Sequence, residues 1–370
     1  MKFSTSKTEL HQALQKLNKA TPTRSTLPIL GCVLIEASEH KTTLRSTDLE
    51  ITIEVEISVS LEAAGSVALP IKTLFDITVE LPETRITLSV DEKNRTEIST
   101  SSGVYDLMGK PADEFPKTPS GEATGTIQMD SGVLKDAIGA TSFAISKDEL
   151  KPALTGALFR FDSECLTVVA TDGHRLVRYT RSDFKIDGFK EDFIVPKKFL
   201  TFMSAQPLTG SIKLETGKNY LTARFGQDMV LTRLIDESFP NYESVIPNDN
   251  EKTFFVDKSI LLGAIRRVSI FSNKSTHQVA LNLSKDGCKI TTEDPEKSSR
   301  ATEKIPGEYD GEDISIGYNA EYLKDVVHHI RGEKALIKLN TPISAALFSP
   351  ETEEENIDSL MLLMPIRLND

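Results

Sequence analysis

Asp172, Gly173, His174 and Arg175 stand in a row. A histidine two residues from an aspartate is a pair that can move protons, the carboxylate orienting the imidazole and the imidazole acting as base. That chemistry needs a nucleophile or a second acid. No GxSxG, HExxH or paired-carboxylate pattern accompanies His174, and no P-loop or GxGxxG occurs; neither hydrolysis nor nucleotide chemistry is indicated. His328 and His329 are adjacent on an expected helix, where neighbouring side chains diverge, whereas helical metal ligands sit three or four residues apart. Cys32, Cys165 and Cys288 form no CxxC and read as reduced thiols of a cytoplasmic protein. The chain is therefore not read as an enzyme, and neither a metal nor a cofactor is expected.

The same residues say more as structure. Leu166, Thr167, Val168 and Val169 are strand formers, and Thr171, Asp172 and Gly173 supply a turn, with Asp bonding its own backbone and Gly tolerating the angles required. The grammar recurs at Thr47-Asp48 and at Glu293-Asp294, at a spacing of roughly 120 residues, which divides the 370-residue chain into three. The copies are 1–125, 126–251 and 252–370, with boundaries in the polar stretches 119–125 and 247–252.

Each copy opens with a short strand and a capped amphipathic helix. In the first, Ser6 and Glu9 read as a capping box before an apolar face of Leu10, Ala13, Leu14 and Leu17. In the second, Asp130 caps a face of Leu134, Ala137, Ile138 and Thr141; in the third, Asp257 caps Leu261, Ala264, Ile265 and Val268. A second helix follows in each, starting at Pro70 with Leu74, Phe75, Ile77 and Leu81 inward, at Pro196 with Phe199, Leu200 and Met203, and at Asn319 with Tyr322, Leu323, Val326, Val327 and Ile330. Strands are expected in the first copy at 29–36, 42–46, 50–59, 85–90, 95–100 and 104–108. Two helices and about eight strands per copy give an α+β fold, with helices packed on antiparallel sheets. With no Trp in the chain, the cores must be mainly aliphatic.

The net charge of −12 argues against nucleic-acid binding unless the charge is unevenly placed. It is uneven: the six helical segments taken together are net positive and the remainder is strongly acidic. There is no recognition-helix or zinc-finger pattern, so any contact with phosphate is expected to be non-specific. No apolar run is long enough to span a membrane, and residues 1–16 lack the apolar core expected of a signal peptide. The acidic run 351–355 reads as a solvated loop. An apolar, Met-containing run at 360–368 nearly ends the chain and suits a surface that takes varied peptides.

These stretches together resemble the beta-subunit family of bacterial DNA polymerase III, the sliding clamps. The resemblance covers the whole chain and rests on TLPIL (26–30), LFDI (74–77) with LPE (81–83), TDGHRL (171–176), LIDESFPNY (234–242) and MPIRL (364–368). It implies three repeated clamp domains and a head-to-tail homodimer whose ring encircles duplex DNA. The ring would tether the replicative polymerase, the clamp loader and other proteins carrying clamp-binding peptides. Carried over by position, the peptide-binding pocket comprises Leu154, Thr171, Gly173, His174, Arg175, Leu176, Pro240, Val245, Leu362, Met364, Pro365 and Arg367, edged by Asn319 and Tyr322. Arg24, Lys197 and Lys198 would face DNA. Lys72, Tyr105 and Leu107 would meet Ile270, Phe271 and Glu296 across the dimer interface. Ser244 and Thr276 stand where the family has larger residues, and Asn369 and Asp370 extend past its usual terminal Leu. A monomeric peptide-binding scaffold without DNA encirclement fits the same residues; a dimer in solution separates the two.

Overall fold

The computed structural model describes residues 1–370 apart from 23, 120–122, 185, 187–189 and 369–370. Part of the expected boundary at 119–125 and the Asn369-Asp370 extension therefore lie outside the described residues. Six α-helices occur among those described: α1 (Lys7–Leu17), α2 (Ile71–Glu80), α3 (Ser131–Thr141), α4 (Lys197–Ala205), α5 (Lys258–Ser269) and α6 (Ala320–His329).

The helices start where a side chain can satisfy the orphan N–H groups of a first turn. The Ser6 hydroxyl accepts from the Glu9 N–H at 3.1 Å. Asp257 accepts from Ile260 at 2.9 Å, and Asn319 from Glu321 and Tyr322 at 2.9 and 3.3 Å. Only half of the expected capping box forms: Glu9 Oε1 accepts instead from the Ser58 N–H at 3.0 Å, because Ser6 also closes the strand Lys2–Ser6 opposite Arg85. The expected inward faces are buried in α1, α3, α4 and α5. In α2 the buried stripe is Ile71, Leu74 and Thr78, and Phe75 and Ile77 are only half-buried. Phe75 stacks on His11 at 5.2 Å instead of entering the core. The expected strand at 29–36 begins as a 3₁₀ turn, Pro28–Gly31, since proline's fixed φ suits the first turn of a helix. The strand proper is Cys32–Ala37. Gly65–Pro70 is a strand that the patterning did not reveal.

The described residues group into two compact units. The first comprises Met1–Leu134 and Thr201–Leu234. It holds a five-stranded sheet in the order Ser60–Ala63, Lys2–Ser6, Arg85–Val90, Arg95–Ser99, Val104–Met108. Its eight-stranded sheet runs Gly125–Asp130, Ser211–Thr216, Tyr220–Phe225, Asp228–Arg233, Ile51–Ile57, Thr42–Thr47, Cys32–Ala37, Gly65–Pro70. Strands from two sequence copies thus share one sheet, joined where Met229 pairs antiparallel with Glu54 and Thr232 with Ile51. Lys16 and Asp228, 2.6 Å apart, pin that junction to α1.

The second unit comprises Lys135–Leu200 and Ile235–Asp370. Its nine-stranded sheet runs Glu191–Pro196, Gly156–Phe161, Leu166–Thr171, Arg175–Arg181, Ile357–Leu363, Ala346–Pro350, Lys334–Leu339, Lys252–Asp257, Glu308–Asp310. Again two copies share a sheet, through Arg175–Arg181 against Ile357–Leu363. A four-stranded sheet, Ser299–Ile305, Gly287–Asp294, Gln278–Ser284, Ile314–Asn319, completes the unit, and α5 packs on α6. The reason is the same at both junctions: a strand left at a sheet edge exposes a row of unpaired backbone groups, and a second copy supplies the missing neighbour.

Candidate protein-docking site

The site is built on one turn. Asp172 Oδ1 accepts from the N–H groups of His174 and Arg175 at 2.9 and 3.0 Å. Thr171 Oγ1 donates to the Arg175 carbonyl at 2.7 Å and accepts from the Gly173 N–H at 3.1 Å. Gly173 has φ +88°, a conformation that glycine adopts without steric penalty. The Asp172 carboxylate is thereby occupied with backbone and with Arg175, and the His174 ring lies on Tyr322 at 5.6 Å. The pair does not form a proton relay.

Arg175 is 8% exposed and makes no free rim. Its guanidinium donates to Asp172 Oδ2 at 3.0 Å, Asp325 Oδ2 at 2.7 Å and the Phe143 carbonyl at 2.8 Å. It lies 4.7 Å from the Tyr322 ring centroid and 5.4 Å from that of Phe143. A planar, fork-shaped cation suits this combination of bonding and stacking, which lysine could not reproduce. Burial, and secondarily the Asp172 charge, raise the pKa of Tyr322, while Arg175 opposes them.

The turn and the terminal segment meet. The Met364 N–H donates to the His174 carbonyl at 2.8 Å, and the Ile366 N–H to that of Gly317 at 2.8 Å. A Cβ on Gly317 would lie 2.6 Å from the Ile366 carbonyl oxygen, so the segment seats only because residue 317 has no side chain. Leu176 pairs directly with Leu362, and Leu362 with Leu347. Leu176 and Leu362 belong to a buried cluster with Leu158, Val169, Ile194, Tyr242 and Ala345, against which Phe239, Ile246 and Leu347 pack half-buried. Met364 and Val245 are left 41% and 53% exposed. Pro240 is exposed, as is Arg367; Leu154, Pro365, Asn319 and Tyr322 are half-buried. Leu154 ends the 3₁₀ turn Pro152–Leu154, whose Ala153 packs on the cluster.

The structure thus brings the two distant motifs into hydrogen-bonding contact. Ser244 adjoins Val245 and donates to the Asn241 carbonyl at 2.8 Å, while the Thr276 carbonyl accepts from Asn319 at 3.5 Å. Sequence reasoning missed Tyr242, Phe239, Ile246 and Leu347 as parts of this floor, although Phe239 and Tyr242 lie inside the quoted LIDESFPNY. It also missed Phe143, Asp325 and His329, for which the sequence held no signal.

The positive helices are less free than a charge count implies. Lys16 pairs with Asp228, Lys324 with Glu321 at 2.6 Å, and Arg267 with Glu303. Arg24 and Lys198 are exposed; Lys197 opens α4 half-buried. Burial, then the charges of Lys147 and Arg175, hold the Lys197 pKa below its ordinary value. Lys72 and Glu296 are exposed, and Ile270 and Phe271 are 77% and 45% exposed. Tyr105 and Leu107 share the half-buried face of Val104–Met108, the last strand of its sheet.

Family models of the DNA polymerase III beta subunit match the chain in three consecutive stretches. The N-terminal domain matches residues 1–119, the central domain 128–241 and the C-terminal domain 243–367. The chain belongs to the bacterial beta sliding clamps. It is 31% identical to the beta sliding clamp of Proteus mirabilis over 377 residues and 30% identical to that of Pseudomonas putida over 373, each covering 100% of both chains. The solved DNA polymerase sliding clamp of Bacillus subtilis superposes with a TM-score of 0.94 at 26% identity, covering 100% of both chains. The Pseudomonas aeruginosa clamp bound to griselimycin gives 0.93 at 28%, also covering 100% of both. The chain is a processivity clamp for DNA polymerase III, three clamp domains of helices on antiparallel sheets. That role is not enzymatic. The alternative of a scaffold without a DNA role is set aside. Among the described residues no helix is long and apolar enough to cross a membrane.

Proposed function

We propose that two copies of the chain close head to tail into a ring around duplex DNA in the cytoplasm, and that polymerase, clamp loader and other partners dock by short peptides at the 171–176 turn. One observation carries the ring. The strand after the Asp48 turn, Ile51–Ile57, pairs with Asp228–Arg233, and the strand after the Asp172 turn, Arg175–Arg181, pairs with Ile357–Leu363. The third equivalent, Ser299–Ile305, is the last strand of its sheet, and the corresponding closing strand of the first copy, Val104–Met108, is the last of its own. A second chain supplies the missing pairing twice over, a heterologous contact whose rotation closes. Exposed Ile270 and Phe271 then face a depression of about 420 Å³ lined by Thr73, Asp76, Ile77, Glu80, Leu81 and Tyr105. Lys72 and Glu296 flank this interface.

Phosphate contact through Arg24, Lys197 and Lys198 needs only modest strength, because a closed ring holds DNA by topology and weak contacts permit sliding. The docking floor of Leu176 and Leu362, with Met364, Val245 and Leu154 around it, suits a ligand bearing a glutamine and two or three bulky apolar residues. The ring is tested by replacing both Ile270 and Phe271 with aspartate. Sedimentation should show monomers, and protein that persists on nicked circular DNA but leaves after linearisation should no longer be retained. A double variant that stays dimeric and DNA-bound overturns the interface.

A further inference from the structure

Planar groups from separate stretches of chain are stacked behind the docking turn. His174 lies on Tyr322 with ring centroids 5.6 Å apart and planes at 19°. Tyr322 and Phe143 both lie against the Arg175 guanidinium, at 4.7 and 5.4 Å. His329 lies on Phe143 at 3.9 Å with planes at 9°, and its Nδ1 donates to the Asp325 carbonyl at 2.7 Å. Asp325 in turn holds Arg175 through its carboxylate. The turn that Arg175 closes presents the His174 carbonyl to the Met364 N–H. Phe143 and His329 thus stand behind Arg175 and Asp325, although neither is among the residues assigned to docking.

We propose that Phe143 and His329 are positioning residues for peptide docking: stacked behind Arg175, they hold the 171–176 turn and, through His174, the placement of Met364. The proposal rests on the docking reading above. His329 also brings a pH response. Burial chiefly, and then His328 and Arg175, hold its pKa below that of an ordinary imidazole, against the opposing pull of Asp325. The charged groups acting on it are Asp325 and His328 on its own helix and Arg175 on the turn, itself paired with Asp172; Lys258 of α5 bonds the carbonyl of the next residue, Ile330. With its folded pKa below its unfolded one, His329 binds its proton more readily when unstacked. The stacked arrangement is therefore fully stable above about pH 6.5 and is weakened as pH falls below it.

The test uses the full chain and a fluorescein-labelled synthetic peptide containing a glutamine followed by leucine and phenylalanine. Anisotropy gives affinity at about pH 7.5 and about pH 5.5, on either side of the ordinary imidazole pKa. Hydrogen exchange reports the Met364 amide independently of the peptide. His329→Ala should weaken binding about fivefold at the higher pH, the scale of a lost ring stack, and speed Met364 exchange. Phe143→Leu, which keeps apolar volume but removes the ring, should do the same. His329→Phe should bind like the parent at the higher pH and lose less affinity on acidification, since it keeps the stack without the proton. Unchanged affinity and unchanged exchange in His329→Ala and Phe143→Leu overturn the positioning role. An acid loss in His329→Phe equal to that of the parent overturns the pH response. A parent chain that does not bind the peptide overturns the docking reading instead, and Met364 exchange in the variants then decides the positioning role alone.

Discussion

Two turns in this molecule are built alike and carry different side chains. At 47–51, Thr47 Oγ1 donates to the Ile51 carbonyl at 2.9 Å and accepts from the Leu49 N–H at 3.0 Å. Asp48 Oδ1 accepts from Glu50 and Ile51 at 3.0 and 2.8 Å. At 171–175 the same four bonds recur with Thr171 and Asp172 in the same places. The left-handed residue is Leu49, φ +78°, in one and Gly173, φ +88°, in the other. What differs is cargo. The first turn ends in Glu50 and Ile51, the latter sunk in the core at 1% exposure. The second ends in His174 and Arg175, which reach out of their strand to Tyr322, Asp325 and Phe143. The backbone grammar is therefore scaffold, and what sets the two turns apart is the pair of side chains mounted on it. The third site departs further, Asp294 accepting from the Asn273 side chain at 3.2 Å.

The largest effect is expected at the leucine floor. Leu176→Ala combined with Met364→Ala should weaken labelled-peptide binding by at least about thirtyfold, roughly 2 kcal/mol or more for lost anchors. The dimer should remain on sedimentation. Ile51→Ala, at the place in the first turn that Arg175 holds in the second, should lower stability by about 2–4 kcal/mol in denaturant melts and leave peptide affinity alone. Equal loss of affinity in both would erase the distinction between scaffold and cargo. Arg175→Met should come next: it leaves the Asp172 carboxylate, 12% exposed, with its backbone donors but without its ion-pair partner. We expect a loss of about 2–3 kcal/mol, discounted because Asp325 is half in solvent, and weaker peptide binding. The smallest effects are expected at the two left-handed residues. Gly173→Ala should cost about 1 kcal/mol through its positive φ alone, since nothing lies within 4 Å of the added Cβ. Leu49→Gly should go the other way by up to about 1 kcal/mol, because Leu49 is 53% exposed and has little burial to lose. Thermal melts of the two variants check the opposite signs.

The helices and their inner faces were legible because caps and 3.6-residue periodicity are local, as Ser6 with Leu10 and Asp257 with Leu261 show. The turn at 172 was legible for the same reason. The strand at 65–70 was hidden because Gly65 and Pro70 mask a short alternation. The return half of the Ser6–Glu9 box was misread because Glu9 is taken by Ser58, a partner 49 residues away. For the candidate docking floor, Leu176, Leu362 and Met364, and their grouping into one pocket, came from a family resemblance. Phe143 and Asp325 were invisible and His329 was weighed only as a metal ligand, because only three-dimensional packing puts a ring behind an arginine 32 residues on.

The shared eight-stranded sheet has a consequence for how the chain is made. Ile51–Ile57 finds its outer neighbour only in Asp228–Arg233. At a ribosomal rate of about 5–20 residues per second, the first strand waits roughly ten to thirty-five seconds for its partner to emerge. Throughout that interval it presents an open backbone edge flanked by apolar Ile51, Ile53 and Val55, the kind of template on which nascent chains aggregate. Such distant pairing also slows the final closure of the sheet, so the yield of folded protein should be governed by translation speed across residues 58–227 and by whatever shields that edge meanwhile.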